Sequence, residues 1–145
     1  MITQVLAALD GSFRAPAVFA TAADLAVRCR ARLHLVRVVE VPAEFPPAAH
    51  VSHPVPVDDL MRRNAERDLV ELARGREGLV TTFAAVLAPE AWRAILDEAA
   101  ALSVDLLVIG THQRRGMERI LGTTATRIIN HADRDVLIVH PRQGG

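Results

Sequence analysis

The sequence predicts an α/β fold in which a parallel β-sheet is covered by helices on both faces. Two observations support this prediction. Five short apolar segments alternate with longer segments whose apolar residues recur every three or four positions, so strands and helices alternate. The strand segments are apolar almost throughout, as in sheets that are buried on both faces. Such alternation is typical of doubly wound sheets, whose right-handed crossovers leave few topologies.

The chain begins with a strand–helix–strand unit. Residues 4–9 form a short apolar run that ends in a turn cluster at residues 10–12. Residues 14–32 carry apolar side chains at helical spacing, which predicts an amphipathic helix. Residues 33–41 are dense in β-branched side chains and predict the second strand, which Pro42 ends.

A proline-rich segment separates this unit from the rest of the chain. Residues 42–57 contain five prolines, which exclude a regular helix or a central strand and predict a surface loop. A second helix is expected from Val57 to Leu72, and Gly75 and Gly78 are expected to close it.

The second half of the chain supplies three more strands and two more helices. The strands are expected at residues 79–87, 104–109 and 135–140. One helix is expected to begin at Pro89, a residue that suits a first helical turn, and another to run from about Thr123 to His131. Because no repeat, second apolar core or linker occurs, we expect residues 1–145 to form one domain.

Composition excludes several classes of function. All 17 basic residues are arginine, so there is no lysine for a P-loop, a Schiff base or pyridoxal phosphate. The 17 acidic residues balance them, which argues against a partner that is nucleic acid. The lone Cys29 cannot form an internal disulfide. No apolar stretch is long enough to span a membrane, and no secretory leader is recognisable. We therefore expect a cytoplasmic protein without a membrane partner.

Two strand ends carry the residues suited to ligand chemistry. In doubly wound sheets a ligand binds at the carboxyl ends of the strands. Asp10 follows the first strand, and Gly110 follows the fourth. Gly122 then precedes a helix that begins with Thr123 and Thr124, where free N–H groups and hydroxyls favour a phosphate. On these residues alone, capping of a helix or turn remains the simpler interpretation.

The loop from Gly110 to Thr124 also resembles the signature of the universal stress protein family, in which spaced glycines precede a Ser/Thr residue. The neighbouring segments resemble the family in the same order. They are VLAALDGS, APAVFATAADLA, LHLVRVVEVP, VDLLVIG and ATRIINHADRDVLIVH. The resemblance implies a Rossmann-like fold of the adenine nucleotide alpha hydrolase type, with strand order 3-2-1-4-5. It also implies a stress-response protein that binds ATP, with Mg²⁺ on the phosphates.

The resemblance implies a role for individual residues. Asp10 would lie near the ribose and adenine, and Val38 would contact adenine. The ribose and phosphates would be held by the glycines and hydroxyl residues of the loop, namely Gly110, Gly122, Thr123 and Thr124. Gln113 stands where the family has its second glycine, and eight residues rather than nine separate it from Gly122.

The departure at Gln113 leaves two branches of the family to compare. One branch has a degenerate loop and does not bind ATP. The other keeps binding with a shorter loop and an amide side chain at the position of Gln113. Because Gly122 and Thr123 are intact, the chain resembles the second branch, and Gln113 is expected to belong to the nucleotide site.

The last strand is expected to lie at an edge of the sheet. Its apolar residues are Val136, Leu137, Ile138 and Val139, and a bare apolar edge invites pairing. The family resemblance implies a homodimer formed there, and the alternative is an edge shielded by the C-terminal tail.

Three functions remain open at this stage. The first is a binding module for an adenine nucleotide, without a catalytic residue. The second is a slow ATPase, or a protein that passes phosphate to a hydroxyl such as Ser12 or Thr123. The third is an interaction protein with an empty crevice, which the substitution at Gln113 favours.

Overall fold

The computed structural model describes residues 1–42, 57–111 and 122–140. Its five strands are β1 (Gln4–Ala8), β2 (Arg32–Glu40), β3 (Val80–Ala88), β4 (Leu106–Gly110) and β5 (Asp135–Val139). Its α-helices are α1 (Ala15–Cys29), α2 (Val57–Leu72), α3 (Ala91–Ala101) and α4 (Thr123–His131). All neighbouring strands are parallel, in the order β3-β2-β1-β4-β5. The predicted fold class and strand order are confirmed.

Two apolar cores lie on opposite faces of the sheet because side chains alternate along each strand. Val5 and Ala7 of β1 point toward α1 and α2, whereas Leu6 points toward α3 and α4. All three side chains are fully buried. This arrangement explains why β1 is apolar from Val5 onward: it is the central strand and has helices above and below it.

The boundaries of two helices differ from the prediction. Helix α1 ends at Cys29 because Arg30 adopts a left-handed conformation (φ 55°), from which its N–H bonds the carbonyls of Ala26 and Val27. Helix α3 begins at Ala91, not at Pro89, because Glu90 keeps an extended backbone at the cap. The expected proline-rich loop falls on residues 43–56 and lies outside the described residues, apart from its ends.

The amino ends of β1 and β4 are tied together by Asp105. One carboxylate oxygen, Oδ2, accepts hydrogen bonds from the N–H of Thr3, the hydroxyl of Thr3 and the N–H of Gln4, each at 2.8 Å. These donors favour the ionised form and lower the pKa of Asp105. Asp105 is the one charged residue in the predicted fourth-strand segment. It joins β1 to β4 at their amino ends, opposite the carboxyl ends that carry Asp10 and Gly110.

A buried histidine links three strands at the same amino edge. His34 Nε2 donates to Gln4 Oε1 (2.8 Å), so Nδ1 is left to accept the hydroxyl of Thr82 (2.7 Å). Burial and the positive charge of Arg32 lower the pKa of His34, and Glu98 opposes them more weakly. Folding therefore favours the neutral form of the His34 imidazole.

This histidine makes stability depend on pH. Because the folded-state pKa of His34 lies below the unfolded one, its stabilising contribution is present above about pH 6.5 and is lost as pH falls. We expect urea unfolding to show a larger loss of stability for the wild type than for His34→Gln between about pH 7.5 and about pH 5.5. The other histidines contribute equally to both proteins, so equal losses would contradict the assignment.

No helix in the described part of the chain is both long and apolar enough to cross a membrane.

Candidate functional site

A cleft opens at the carboxyl ends of β2, β1 and β4, where the doubly wound topology places ligands. Its volume is about 290 Å³, and the first turns of α1, α3 and α4 form its walls. The lining residues are Ala8, Leu9, Asp10, Arg14, Ala15, Val18, Val36, Val38, Glu40, Ala91, Ile95, Ile109, Gly110, Thr124, Ala125 and Ile128.

The turn between β1 and α1, residues 10–13, brings a carboxylate to the cleft. Asp10 Oδ1 accepts the N–H of Ser12 at 2.9 Å and also its hydroxyl. The Ser12 hydroxyl oxygen accepts the N–H of Arg14 at 3.2 Å. The cap position of α1 is Arg14, whose side chain does not cap the helix. Asp10 therefore closes the turn rather than the helix, and its second oxygen, Oδ2, accepts no hydrogen bond from the described residues.

The end of the cleft beneath β2 is apolar. Val36 and Val38 project from β2, and Ala91 and Ile95 face them from α3. Glu40 ends this apolar stretch, where its Oε1 accepts the N–H of Ala91 at 3.1 Å. This hydrogen bond satisfies one of the backbone N–H groups at the start of α3 that have no partner within the helix.

The opposite end of the cleft joins the end of β4 to the start of α4. Gly110 is the last residue of β4 and lines the cleft together with Thr124 of α4. Gly122 is the cap residue of α4, with an extended backbone and no side-chain cap. The first-turn N–H groups of α4 thus have no side-chain acceptor at the cap position. The positive end of the helix dipole lies at this end of the cleft.

Gly110 has a packing role that the sequence did not indicate. A Cβ atom at this position would lie 2.9 Å from Cγ2 of Val18, a buried residue of α1. That separation is shorter than a van der Waals contact, so any side chain at residue 110 would require the Val18 side chain or α1 to shift. Glycine at residue 110 therefore makes room for Val18 of α1, and it also lets a ligand come close to the backbone.

Four of the seven predicted site residues line this one cleft. They are Asp10, Val38, Gly110 and Thr124. Gly122 and Thr123 lie beside Thr124 at the start of α4 but do not line the cleft. Gln113 falls outside the described residues.

Two charged residues of the cleft were missed by sequence reasoning. Arg14 lies at the start of α1, and Glu40 lies at the end of β2. The signal for Glu40 was available, since a residue two positions beyond Val38 shares its face of the strand. Among the described residues, no cluster of three or more His, Cys, Asp or Glu side chains is arranged to hold a metal ion.

The sole tryptophan lies beside the cleft. Trp92 follows the lining residue Ala91 and is half-buried. Its Nε1 donates to Glu90 Oε2 at 2.7 Å, and its ring lies 4.6 Å from the ring of His131 on α4. Its fluorescence therefore reports on the walls formed by α3 and α4.

Comparison with known proteins gives the same family over nearly the whole chain. The family model described as "Universal stress protein family" matches residues 1–140. Universal stress protein A homolog 2 of Coxiella burnetii is 30% identical over 135 residues, which cover 93% of this chain and 91% of that protein.

Solved structures share the architecture. A protein of the universal stress protein family from Burkholderia pseudomallei has a TM-score of 0.71 and 27% identity, with 95% of this chain and 96% of that chain covered. A universal stress protein in complex with cAMP has a TM-score of 0.63 at 20% identity, covering 96% and 97% of the two chains. The universal stress protein from Archaeoglobus fulgidus in complex with dAMP has a TM-score of 0.66 at 19% identity, covering 95% and 97%. The chain belongs to the universal stress protein family.

Proposed function

We propose that the chain is a regulatory module that binds an adenine nucleotide, ATP in particular, in the cleft at the ends of β2, β1 and β4. The observation that carries the proposal is the arrangement of this cleft, which joins an apolar end to a helix N-terminus. Structural neighbours bound to cAMP and to dAMP support an adenine nucleotide as the ligand class.

The apolar end suits the base. Val38 and Val36 on one side and Ile95 on the other provide flat aliphatic walls for a purine. Adjacent strands lie about 4.8 Å apart, so β4 is displaced by roughly 10 Å from β2 across β1. A nucleotide laid across the strand ends would therefore have its base at β2 and its phosphates at β4.

The other residues of the site suit the sugar and phosphates. We expect the Asp10 carboxylate, which lines the cleft beside β1, to accept a ribose hydroxyl. Gly110 and Thr124 line the phosphate end, and Gly122 and Thr123 lie at the start of α4 beside it. The family resemblance adds Gln113, which lies outside the described residues. Mg²⁺, when bound, would be carried by phosphate oxygens of the nucleotide.

Binding without rapid turnover is the expected behaviour. The chain contains no lysine that could act as a P-loop lysine. In the described part of the cleft, Asp10 accepts the N–H of Ser12 and Glu40 accepts the N–H of Ala91, and no histidine or cysteine is among the described lining residues. We expect the nucleotide to act as a signal in a stress response, read through a partner or through the dimer.

The proposal is tested by the melting temperature with Mg-ATP, AMP and GTP. A ligand that binds only the folded state at about a hundred times its Kd raises stability by about 2.7 kcal/mol. We expect a rise with ATP that GTP does not give and that is absent in Gly122→Val, which places a branched side chain at the start of α4. Quenching or enhancement of Trp92 fluorescence provides a second readout. If neither signal changes with any adenine nucleotide, the proposal fails.

We also propose a homodimer through β5. This strand is paired with β4 alone among the described strands, and its side chains pack on both cores. We expect its outer edge, formed by Val136, Leu137, Ile138 and Val139, to pair with the same edge of a second copy. Sedimentation equilibrium is expected to give twice the chain mass, and Ile138→Lys to give the monomer. A monomer for the wild type at all concentrations would contradict the dimer.

A further inference from the structure

A second cleft lies behind the β1–α1 turn. Its volume is about 310 Å³, and its walls are the turn itself, Arg37 of β2 and one side of α2. Leu9, Asp10 and Ala15 line both this cleft and the one described above. The turn that carries Asp10 is therefore a partition between two clefts, and its position depends on what supports it from behind.

Arg37 provides that support. It faces the α1 and α2 side of the sheet, opposite to Val38, and only 23% of its side chain is exposed. A Cβ atom at Gly11 would lie 2.9 Å from Arg37 Nη2 and 3.4 Å from Cζ. The guanidinium group thus lies directly against the backbone of Gly11.

The far side of the same guanidinium group is held by α2. Arg37 Nη1 donates to Asp68 Oδ2 in an ion pair. Asp68 is 62% exposed and does not line the first cleft. A chain of contacts therefore runs from Asp68 through Arg37 to Gly11, the neighbour of Asp10.

We propose that Arg37, oriented by Asp68, is a positioning residue that fixes the β1–α1 turn and thereby holds the Asp10 carboxylate in place for the nucleotide. The proposal rests on the proposed function for its ligand. Arg37 touches no ligand itself and acts through the backbone of Gly11.

Nucleotide affinity gives the first test. Asp68→Asn and Arg37→Met are each expected to weaken binding of ATP about threefold to tenfold, because a loosened turn must be ordered again on binding. The double variant is expected to bind no more weakly than Arg37→Met, since both changes remove the same support.

A matched control is available in a second ion pair. Arg76 Nη2 lies 3.1 Å from Asp24 Oδ1, with side chains 38% and 64% exposed, and neither residue lines either cleft. Asp24→Asn therefore removes an ion pair of similar exposure, and we expect it to leave affinity unchanged. Equal effects of Asp24→Asn and Asp68→Asn on affinity would overturn the proposal.

Gly11→Ala distinguishes positioning from direct contact with the ligand. The added methyl group would displace the Arg37 guanidinium, so the substitution should weaken binding in the wild type and have little further effect in Arg37→Met. If Gly11→Ala weakens nucleotide binding by the same factor in the wild type and in Arg37→Met, the methyl group obstructs the ligand directly and the proposal is wrong.

Hydrogen exchange tests the same proposal without any ligand. The N–H of Ser12 is bonded to Asp10 Oδ1 and reports on the order of the turn. We expect it to exchange faster in Arg37→Met and Asp68→Asn, but not in Asp24→Asn. Faster exchange without any nucleotide binding by the wild type would refute the proposed function and leave the positioning role standing. Unchanged exchange would refute the positioning role.

Discussion

Replacing Val38 with tryptophan is expected to abolish adenine-nucleotide binding while the protein remains folded. The Val38 side chain is half-buried and forms the apolar wall of the cleft beneath β2. An indole there would occupy the space proposed for the base. We expect affinity for ATP to fall by at least about a hundredfold, equivalent to about 2.7 kcal/mol. Because the indole would fill an open cleft rather than a packed core, stability should change little.

The control for this variant is the same substitution on the surface. Val27 lies on α1 and is 53% exposed, away from the cleft. Val27→Trp should bind ATP as the wild type does, as measured by isothermal titration calorimetry. If Val38→Trp also kept the affinity of the wild type, the base would have to lie outside the cleft at β2.

Gly110→Ala should lower the free energy of unfolding by about 1–3 kcal/mol, the usual range for forcing extra volume into a packed interior. The added Cβ would lie 2.9 Å from Val18 Cγ2, and Val18 is only 3% exposed and sits on a helix that packs against the central strands. The Val18 side chain or helix α1, which forms one wall of the cleft, must therefore shift. Urea denaturation measures the loss.

Two further variants test the cause of that loss. Gly78→Ala should have almost no effect, because no heavy atom lies within 4 Å of a Cβ at that position. Val18→Ala removes the methyl group that an added Cβ at residue 110 would meet. In the Val18→Ala background, Gly110→Ala should then lower the free energy of unfolding only a little. An undiminished loss would mean that the strain arises elsewhere.

The fold could be predicted from the sequence because its strands are buried on both faces. Continuous apolar runs such as residues 104–109 identify central strands, and the apolar residues at helical spacing between them identify crossovers. The strand order came from the family resemblance and is confirmed. The ends of elements were less predictable, since Arg30 ends α1 through a backbone conformation that no side-chain pattern specifies.

Site residues could be predicted from the sequence only where a residue type suited to ligand binding follows a strand. Asp10 and Gly110 follow strands and line one cleft as expected. The contacts of Gly110 with Val18 and of Gly11 with Arg37 join residues that are distant in sequence, so neither could be inferred from local patterns. Each depends on how closely a helix or a side chain approaches the sheet, which packing alone determines.

The central position of β1 has a consequence for the order in which the protein can assemble. Val5 of β1 pairs with Leu33 of β2 and with Leu106 of β4, about a hundred residues away. Local pairing can join β1 to β2 early, but the remaining edge of β1 must wait until the last third of the chain emerges from the ribosome. The base-binding half of the cleft can therefore form before its phosphate-binding half exists. A nascent chain would acquire nucleotide affinity only when synthesis is nearly complete.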